Sequence, residues 1–184
     1  MSERIQVARH EDLTAGELEA LQELFDAEYL REFGPWNPDQ PYGYSPADVH
    51  VVTFRGQFPV AHVGFQYRTI AVGADEVTVA GTGGVLVSAA SRGSGLGRRA
   101  MLHAQKVMRE ETQTDFGFLG CREEVVPFYE AAGWVRVRAT ERSLSRRDQR
   151  SVIVSHSGPI LICSAGRDAS EWPAGDIDLR GTPW

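Results

Sequence analysis

The sequence predicts an α/β fold, a mixed and mostly antiparallel central sheet flanked by helices. Three observations carry this reading. Short β-branched apolar runs over residues 49–87 are joined by turn residues, as in hairpins. Two longer segments space their apolar residues as helices do. From residue 95 onward, helical and strand-like segments alternate.

The elements follow in order. Residues 14–33 read as a helix, because Thr14 and Glu17 form a capping-box pattern and Leu18, Leu21, Leu24 and Phe25 share one face. Gly34-Pro35 stops it, and the proline-rich residues 35–48 form a long loop of the kind that is commonly functional. Val49–Phe54 is a strand. Val60–Ile70 and Val77–Val87 form a hairpin around Gly73-Ala74-Asp75. The return strand holds Gly81, Gly83 and Gly84, which mark a bulge or a close approach by another group. A helix runs from about Gly95 to Glu110 with Met101, Ala104 and Met108 on one face. Asp115–Cys121 is a strand, Glu123–Ala132 a short helix closed by Gly133, and Trp134–Arg138 a strand. Residues 139–151 read as a polar loop with an arginine cluster. Val152–Val154 and Pro159–Cys163 are strand-like.

Composition bounds the function. The 184 residues fit a single domain, 1–184, with 42% hydrophobic and 24% charged residues. The net charge of −6 disfavours nucleic acid as a partner and suits a cationic small molecule. No apolar run is long enough to span a membrane, and Met1–Asp12 lacks the apolar core of a signal peptide. Cys121 and Cys163 share no short motif, so the expectation is reduced thiols in a cytoplasmic protein and no metal site.

The segment with chemical content is Gly84-Val85-Leu86-Val87, four residues, then Arg92-Gly93-Ser94-Gly95-Leu96-Gly97-Arg98-Arg99. A strand entering a glycine-rich turn that opens a helix builds an anion site from backbone N–H groups. It is neither a Walker loop nor a dinucleotide fingerprint, since the Gly-Lys-Ser/Thr and G-x-G-x-x-G orders are absent.

Arg92-x-x-Gly95-x-Gly97 resembles the acetyl-CoA pyrophosphate loop of the GNAT superfamily of N-acyltransferases. Phe128-Tyr129-Glu130-Ala131-Ala132-Gly133-Trp134 is similar to a second segment of that superfamily. The two cover a CoA-binding core of about residues 77–138. The resemblance implies a GNAT fold with a bulged strand at the acetyl-CoA site and acetyl-CoA as co-substrate. It implies that the backbones of Val85, Leu86 and Val87 pair with pantetheine amides. It implies that residues Arg92, Gly93, Ser94, Gly95, Leu96, Gly97 and Arg98 hold the pyrophosphate. Tyr129 would protonate the departing thiolate.

Two narrower resemblances concern the acceptor. Ser170-Glu171-Trp172-Pro173-Ala174-Gly175 is similar to a segment of the rhizobial nodulation N-acyltransferase, which acylates an amino-sugar oligomer. Val60–Gly64, Val107-Met108-Arg109, Tyr129–Trp134 and Trp172–Asp176 also resemble landmarks of the aminoglycoside 2′-N-acetyltransferases. These imply an amino-sugar amine as acceptor, an aminoglycoside 2′-amine first, including a kasugamycin-like compound, and hence antibiotic resistance. The aminoglycoside enzymes carry a Glu where this chain has Gly83. His62, on the neighbouring strand, is therefore the candidate base, with an imidazole suited to neutral pH. Glu76 lies farther down the hairpin. Residues of a C-terminal tail, about 164–184, and of the proline-rich loop are candidate acceptor contacts: Trp36, Asp39, Glu171, Trp172, Asp176, Asp178 and Trp184. Two alternatives stand beside this: a longer acyl donor acting on an amino-sugar or peptide amine, and a CoA-binding module without turnover. A homodimer through the strand at Pro159–Cys163 is a further expectation.

Overall fold

The computed structural model describes residues 3–110 and 113–184. In chain order, β1 (Glu3–Arg9) leads to α1 (Ala15–Phe33), then β2 (Val49–Arg55), β3 (Phe58–Val72), β4 (Asp75–Val87) and α2 (Leu96–Glu110). There follow β5 (Phe116–Gly120), α3 (Val126–Glu130), β6 (Val135–Val137), β7 (Glu141–Leu144), β8 (Val152–Ser155), β9 (Ile160–Ser164) and β10 (Ile177–Asp178). All ten strands form one sheet. The main path runs β6-β9-β5-β4-β3-β10-β7-β8, and β2 and then β1 branch from β3. Only β4–β5 and β10–β7 are parallel.

Local chemistry accounts for the framework. Thr14 and Glu17 complete the capping box of α1, and Gly34 closes it at φ +80°. The 15-residue β3 carries β4 along one edge, while β2 and β10 share the other. Alternation along β3 sorts its side chains. Ala61, Val63 and Phe65 join the core under α2 and α3. The opposite face is covered by α1 near Val52, Phe54 and Leu86, and farther along by the C-terminal segment on Ile70, Val72, Phe116 and Phe118.

Two irregularities shape the middle of the sheet. The β3–β4 register shifts between His62 and Gly64, which face Leu86 and Gly83, so β4 carries a bulge at Gly84, where φ is +59°. The parallel β4–β5 ladder ends at Gly81–Phe118, and β5 continues beside β9 alone. The stretch after Gly81 thus parts from β5 and leaves a slot.

One strand lies outside the sequence reading, and two sequence expectations need correction. Residues 3–9 form a strand, paired along their length with β2. Residues 141–144 are a strand rather than loop; β7 is polar but ladders with β8 and β10 through its backbone. The short helix expected over Glu123–Ala132 divides into a 3-10 turn followed by the five residues of α3. The strand expected at a dimer contact, β9, lies between β5 and β6 with Ile160–Cys163 buried. Among the described residues no helix is long and apolar enough to cross a membrane.

Candidate active site

On the α2 side, the turn after β4 is built for an anion. Gly93 and Gly95 adopt φ of +75° and +74°, a conformation that side chains disfavour. The first α2 bond runs from the Arg99 N–H to the Gly95 carbonyl, so the N–H groups ahead of it are the open donors of the helix start. A Cβ on Gly97 would meet Val87 at 3.1 Å and Phe128 at 3.3 Å. Loop, strand end and α3 therefore converge on one cradle with open backbone donors at its rim.

The arginines of this loop are bracing groups. Arg92 bonds to Glu28 and donates to the Val87 carbonyl at 3.1 Å. Arg98 donates to the Ala131 carbonyl, and Arg99 to the Ser94 carbonyl and Glu3. The loop thus presents main chain to a phosphate while its cations tie it to α1, α3 and β1. Ser94 donates back to the Ser91 carbonyl, and Leu96 is buried under α2.

Tyr129 lies at the floor of this side, 8% exposed, with its ring against Phe128 and Trp134. Burial, with smaller effects from Cys121 and Tyr29, raises its hydroxyl well above the ordinary phenol range. It stays protonated at neutral pH and has a proton to give. Burial likewise pushes the Cys121 thiol up to about 11, which removes the thiolate an acyl-carrying cysteine needs.

The opposite face holds a narrow pocket of about 30 Å³, room for one or two water-sized groups. Phe25, Trp36, Ser45, His50, His62, Gly83, Gly84 and Trp184 line it. Trp36 stacks on Phe25 with centroids 4.7 Å apart. Trp184 is fixed from three sides. Its Nε1 donates to Gln66 Oε1 at 3.1 Å, Arg68 covers its ring, and a Cβ on Gly81 would lie 2.0 Å from it. A Cβ on Gly83 would lie 2.7 Å from the Trp184 carbonyl carbon. The missing carboxylate at position 83 thus has a spatial reason: Trp184 occupies the room.

His62 is buried, and both its ring nitrogens are engaged. Nδ1 lies 2.7 Å from the Gly84 carbonyl and Nε2 lies 2.9 Å from His50 Nδ1. Both nitrogens are thus turned to protein partners, although the ring itself lines the pocket. Burial holds it neutral, lowered to about 4, against a smaller opposing effect of the Gly84 bond.

The tail residues divide. Trp36 and Trp184 reach the pocket; the acidic residues do not. Glu171 caps the turn at Asp168, and Trp172 packs on Phe116 and Phe118. Asp176 accepts from the Thr140 N–H, and Asp178 from the Arg180 N–H. Asp176 and Asp178 lie by the far end of the hairpin, where β10 pairs with Val72 and Ala71. Asp39 faces His10, at 3.7 Å, on the outer surface. Glu76 pairs with Arg180. The residues the sequence reading passed over are His10, His50, Gln66 and Arg68. A histidine in each of two apolar strands, at 50 and 62, is the one signal that pointed to any of them. Among the described residues no group of three or more His, Cys, Asp or Glu is placed to hold a metal ion.

Comparison with known proteins agrees with this architecture. Escherichia coli ElaA aligns with a TM-score of 0.61 at 20% identity over 88% of this chain and 99% of that one. An acyl-CoA N-acyltransferase from Pseudomonas aeruginosa aligns at 0.58 and 20% identity, over 88% and 97%. The ribosomal-protein-S18-alanine N-acetyltransferase of Escherichia coli aligns at 0.55 and 15% identity, over 92% and 99%. Among curated proteins none matches by sequence. The fold is that of the GNAT acyltransferases. A family model described as Nodulation protein A (NodA) matches residues 2–183. The chain belongs to the nodulation protein A family.

Proposed function

We propose that this protein transfers an acyl group from acyl-CoA to a primary amine carried by a sugar with few other positive charges. The observation that carries the acceptor reading is the pocket at the β4 bulge. It is walled by Trp36 and Trp184, fits little more than an amine group, and has no Asp or Glu side chain in its lining. Aromatic faces suit a sugar ring. A kasugamycin-like or other mono-amino sugar matches this narrow aromatic lining.

The chemistry needs little from the protein. The amine nitrogen attacks the thioester carbon, the C–N bond forms, and the electron pair of the C–S bond leaves on sulfur. Tyr129 gives its proton to that sulfur, the amine proton passes to solvent, and solvent returns a proton to the Tyr129 phenolate. Holding both substrates across one bulged strand supplies much of the rate. Backbone N–H groups at the bulge stabilise the oxyanion.

Acetyl is the simplest donor. Membership of the nodulation protein A family favours a second reading, a longer acyl chain on an amino-sugar oligomer. Thiol release from acetyl-CoA and a long-chain acyl-CoA, measured with mono-amino sugars, kasugamycin and polycationic aminoglycosides, separates the two. Mass spectrometry of the products identifies the amine. Acyl transfer to a mono-amino sugar is the expected result. Donor binding without turnover on any amine overturns the proposal in favour of a CoA-binding module.

A further inference from the structure

Three histidines from three segments of the chain form a file across the sheet. His10 follows β1, His50 lies on β2 and His62 on β3. His10 Nδ1 lies 3.0 Å from His50 Nε2, His50 Nδ1 lies 2.9 Å from His62 Nε2, and His62 Nδ1 lies 2.7 Å from the Gly84 carbonyl on β4. The outer end, His10 Nε2, faces Asp39 Oδ1 at 3.7 Å. His50 and His62 are 1% and 2% exposed.

The polarity of this file is fixed by its inner end. A carbonyl oxygen only accepts, so His62 Nδ1 carries hydrogen. Neutral His62 then accepts at Nε2, and His50 Nδ1–H is the donor. The same step makes His50 Nε2 an acceptor and His10 Nδ1–H its donor. His50 and His62 hold the Nδ1–H tautomer, and His10 donates from Nδ1. The glycines make room for this. A Cβ on Gly64 would lie 3.0 Å from His62 Cε1, and one on Gly84 would lie 3.2 Å from it. The ring is seated between two residues without side chains, one of them in the left-handed conformation that forms the bulge.

We propose that the His10–His50–His62 file is a positioning device that fixes the Gly84–Val85 peptide plane at the β4 bulge. In a trans peptide the N–H points opposite to the carbonyl. Pinning the Gly84 carbonyl to His62 therefore aims the Val85 N–H away from the file. Val85 itself packs with the α2-side core, which borders the donor cradle. The link to catalysis rests on the acyl-transfer reading above; the file and its hold on the bulge do not. His50 and His10 act through His62 and are positioning residues.

The test uses the full chain labelled with 15N-histidine and long-range proton–nitrogen correlation at pH 8. With the rings assigned by single substitutions, His50 and His62 are expected as Nδ1–H tautomers and His10 with hydrogen on Nδ1. An Nε2–H tautomer at His50 or His62 overturns the proposal. His50→Phe removes both links. Gly84–Leu86 amides are then expected to exchange at least about tenfold faster. kcat falls about tenfold, with KM for acyl-CoA within about twofold. His50→Gln keeps one donor and one acceptor and restores both. Unchanged exchange in His50→Phe overturns the proposal. Should His50→Phe fail to fold, His10→Ala at the surface end is expected to show a smaller acceleration of the same amides, and none overturns the proposal. An intact file with fast-exchanging variants in a protein that acylates no amine keeps the bulge device and refutes the acyl-transfer reading.

Discussion

The guanidinium carbon of Arg68 lies 4.2 Å from the ring centroid of Trp184. The same group donates to the Leu179 carbonyl at 3.1 Å, the Thr182 carbonyl at 2.9 Å, Ser45 Oγ at 2.6 Å and Gln66 Oε1 at 2.7 Å. One side chain on β3 thus gathers the C-terminal segment, the proline-rich loop and the sheet. Burial lowers its basicity to about 10, which still leaves it charged at neutral pH. Arg68→Met is expected to cost about 3 kcal/mol, since buried hydrogen bonds to a charged donor are lost and their acceptors left unpaired. Urea unfolding measures this. Arg68→Lys recovers little, because an ammonium cannot fork to four acceptors while lying flat on an indole.

Gly81 faces the same indole. Gly81→Ala puts a methyl group 2.0 Å from Trp184 Cε2 and must displace the ring. The expected loss is about 2 kcal/mol, with a weaker acceptor KM. In a Trp184→Ala background the same substitution should be close to neutral, so a double-mutant cycle reports the contact itself. Additive losses would show that the two residues are not in contact in solution.

Tyr129→Phe keeps the ring packing against Phe128 and Trp134 and deletes only the hydroxyl. kcat is expected to fall about a hundredfold, KM for acyl-CoA to stay within about twofold, and the unfolding midpoint to remain near wild type. An unaffected kcat removes Tyr129 from the mechanism.

Acid stability follows from the buried imidazoles. Burial, aided by His62 and His10, lowers His50 to about 3, and burial lowers His62 to about 4. Both return to about 6.5 on unfolding. Above pH 6.5 neither state is protonated and the pair adds no slope. Below it the unfolded chain binds protons that the fold refuses, so stability falls as pH drops toward 4. Between pH 6.5 and 5, before most carboxylates titrate, the expected loss is about 3 kcal/mol. Urea titrations across this window measure it, and His62→Gln should flatten the curve.

Much of this molecule was legible in its residues. The β4–turn–α2 unit was, because a strand, a glycine-rich turn and a helix follow one another as read, with Met101, Ala104 and Met108 fully buried. The bulge was foreshadowed by glycines inside a strand. What escaped depends on register. β1 has only Ile5, Val7 and Ala8 as apolar residues, with Val7 42% exposed, and exists because β2 offers it a ladder. His50 and His62 are twelve residues apart, and only the β2–β3 pairing sets their rings side by side. The acidic residues of the tail looked like a cationic acceptor site by composition. The β10 pairing sends Asp176 and Asp178 to the other end of the hairpin, and only the last three residues of the chain turn back to Ser45 and the pocket.

The parting of β4 from β5 after Gly81 gives the donor a second identity. A sheet ordinarily exposes ladder groups only at its rims, yet here the opening lies in the middle, between two of its most buried strands. An amide-bearing chain lodged there is a missing strand as much as a reactant. On the proposed reading, the free protein is an unfinished sheet that would borrow a piece of its architecture on every turnover. CoA without any acyl group should therefore firm the fold by mass action, raising the melting temperature with concentration. The product thiol would hold the slot after the chemistry is over, making its departure a natural limit on the rate.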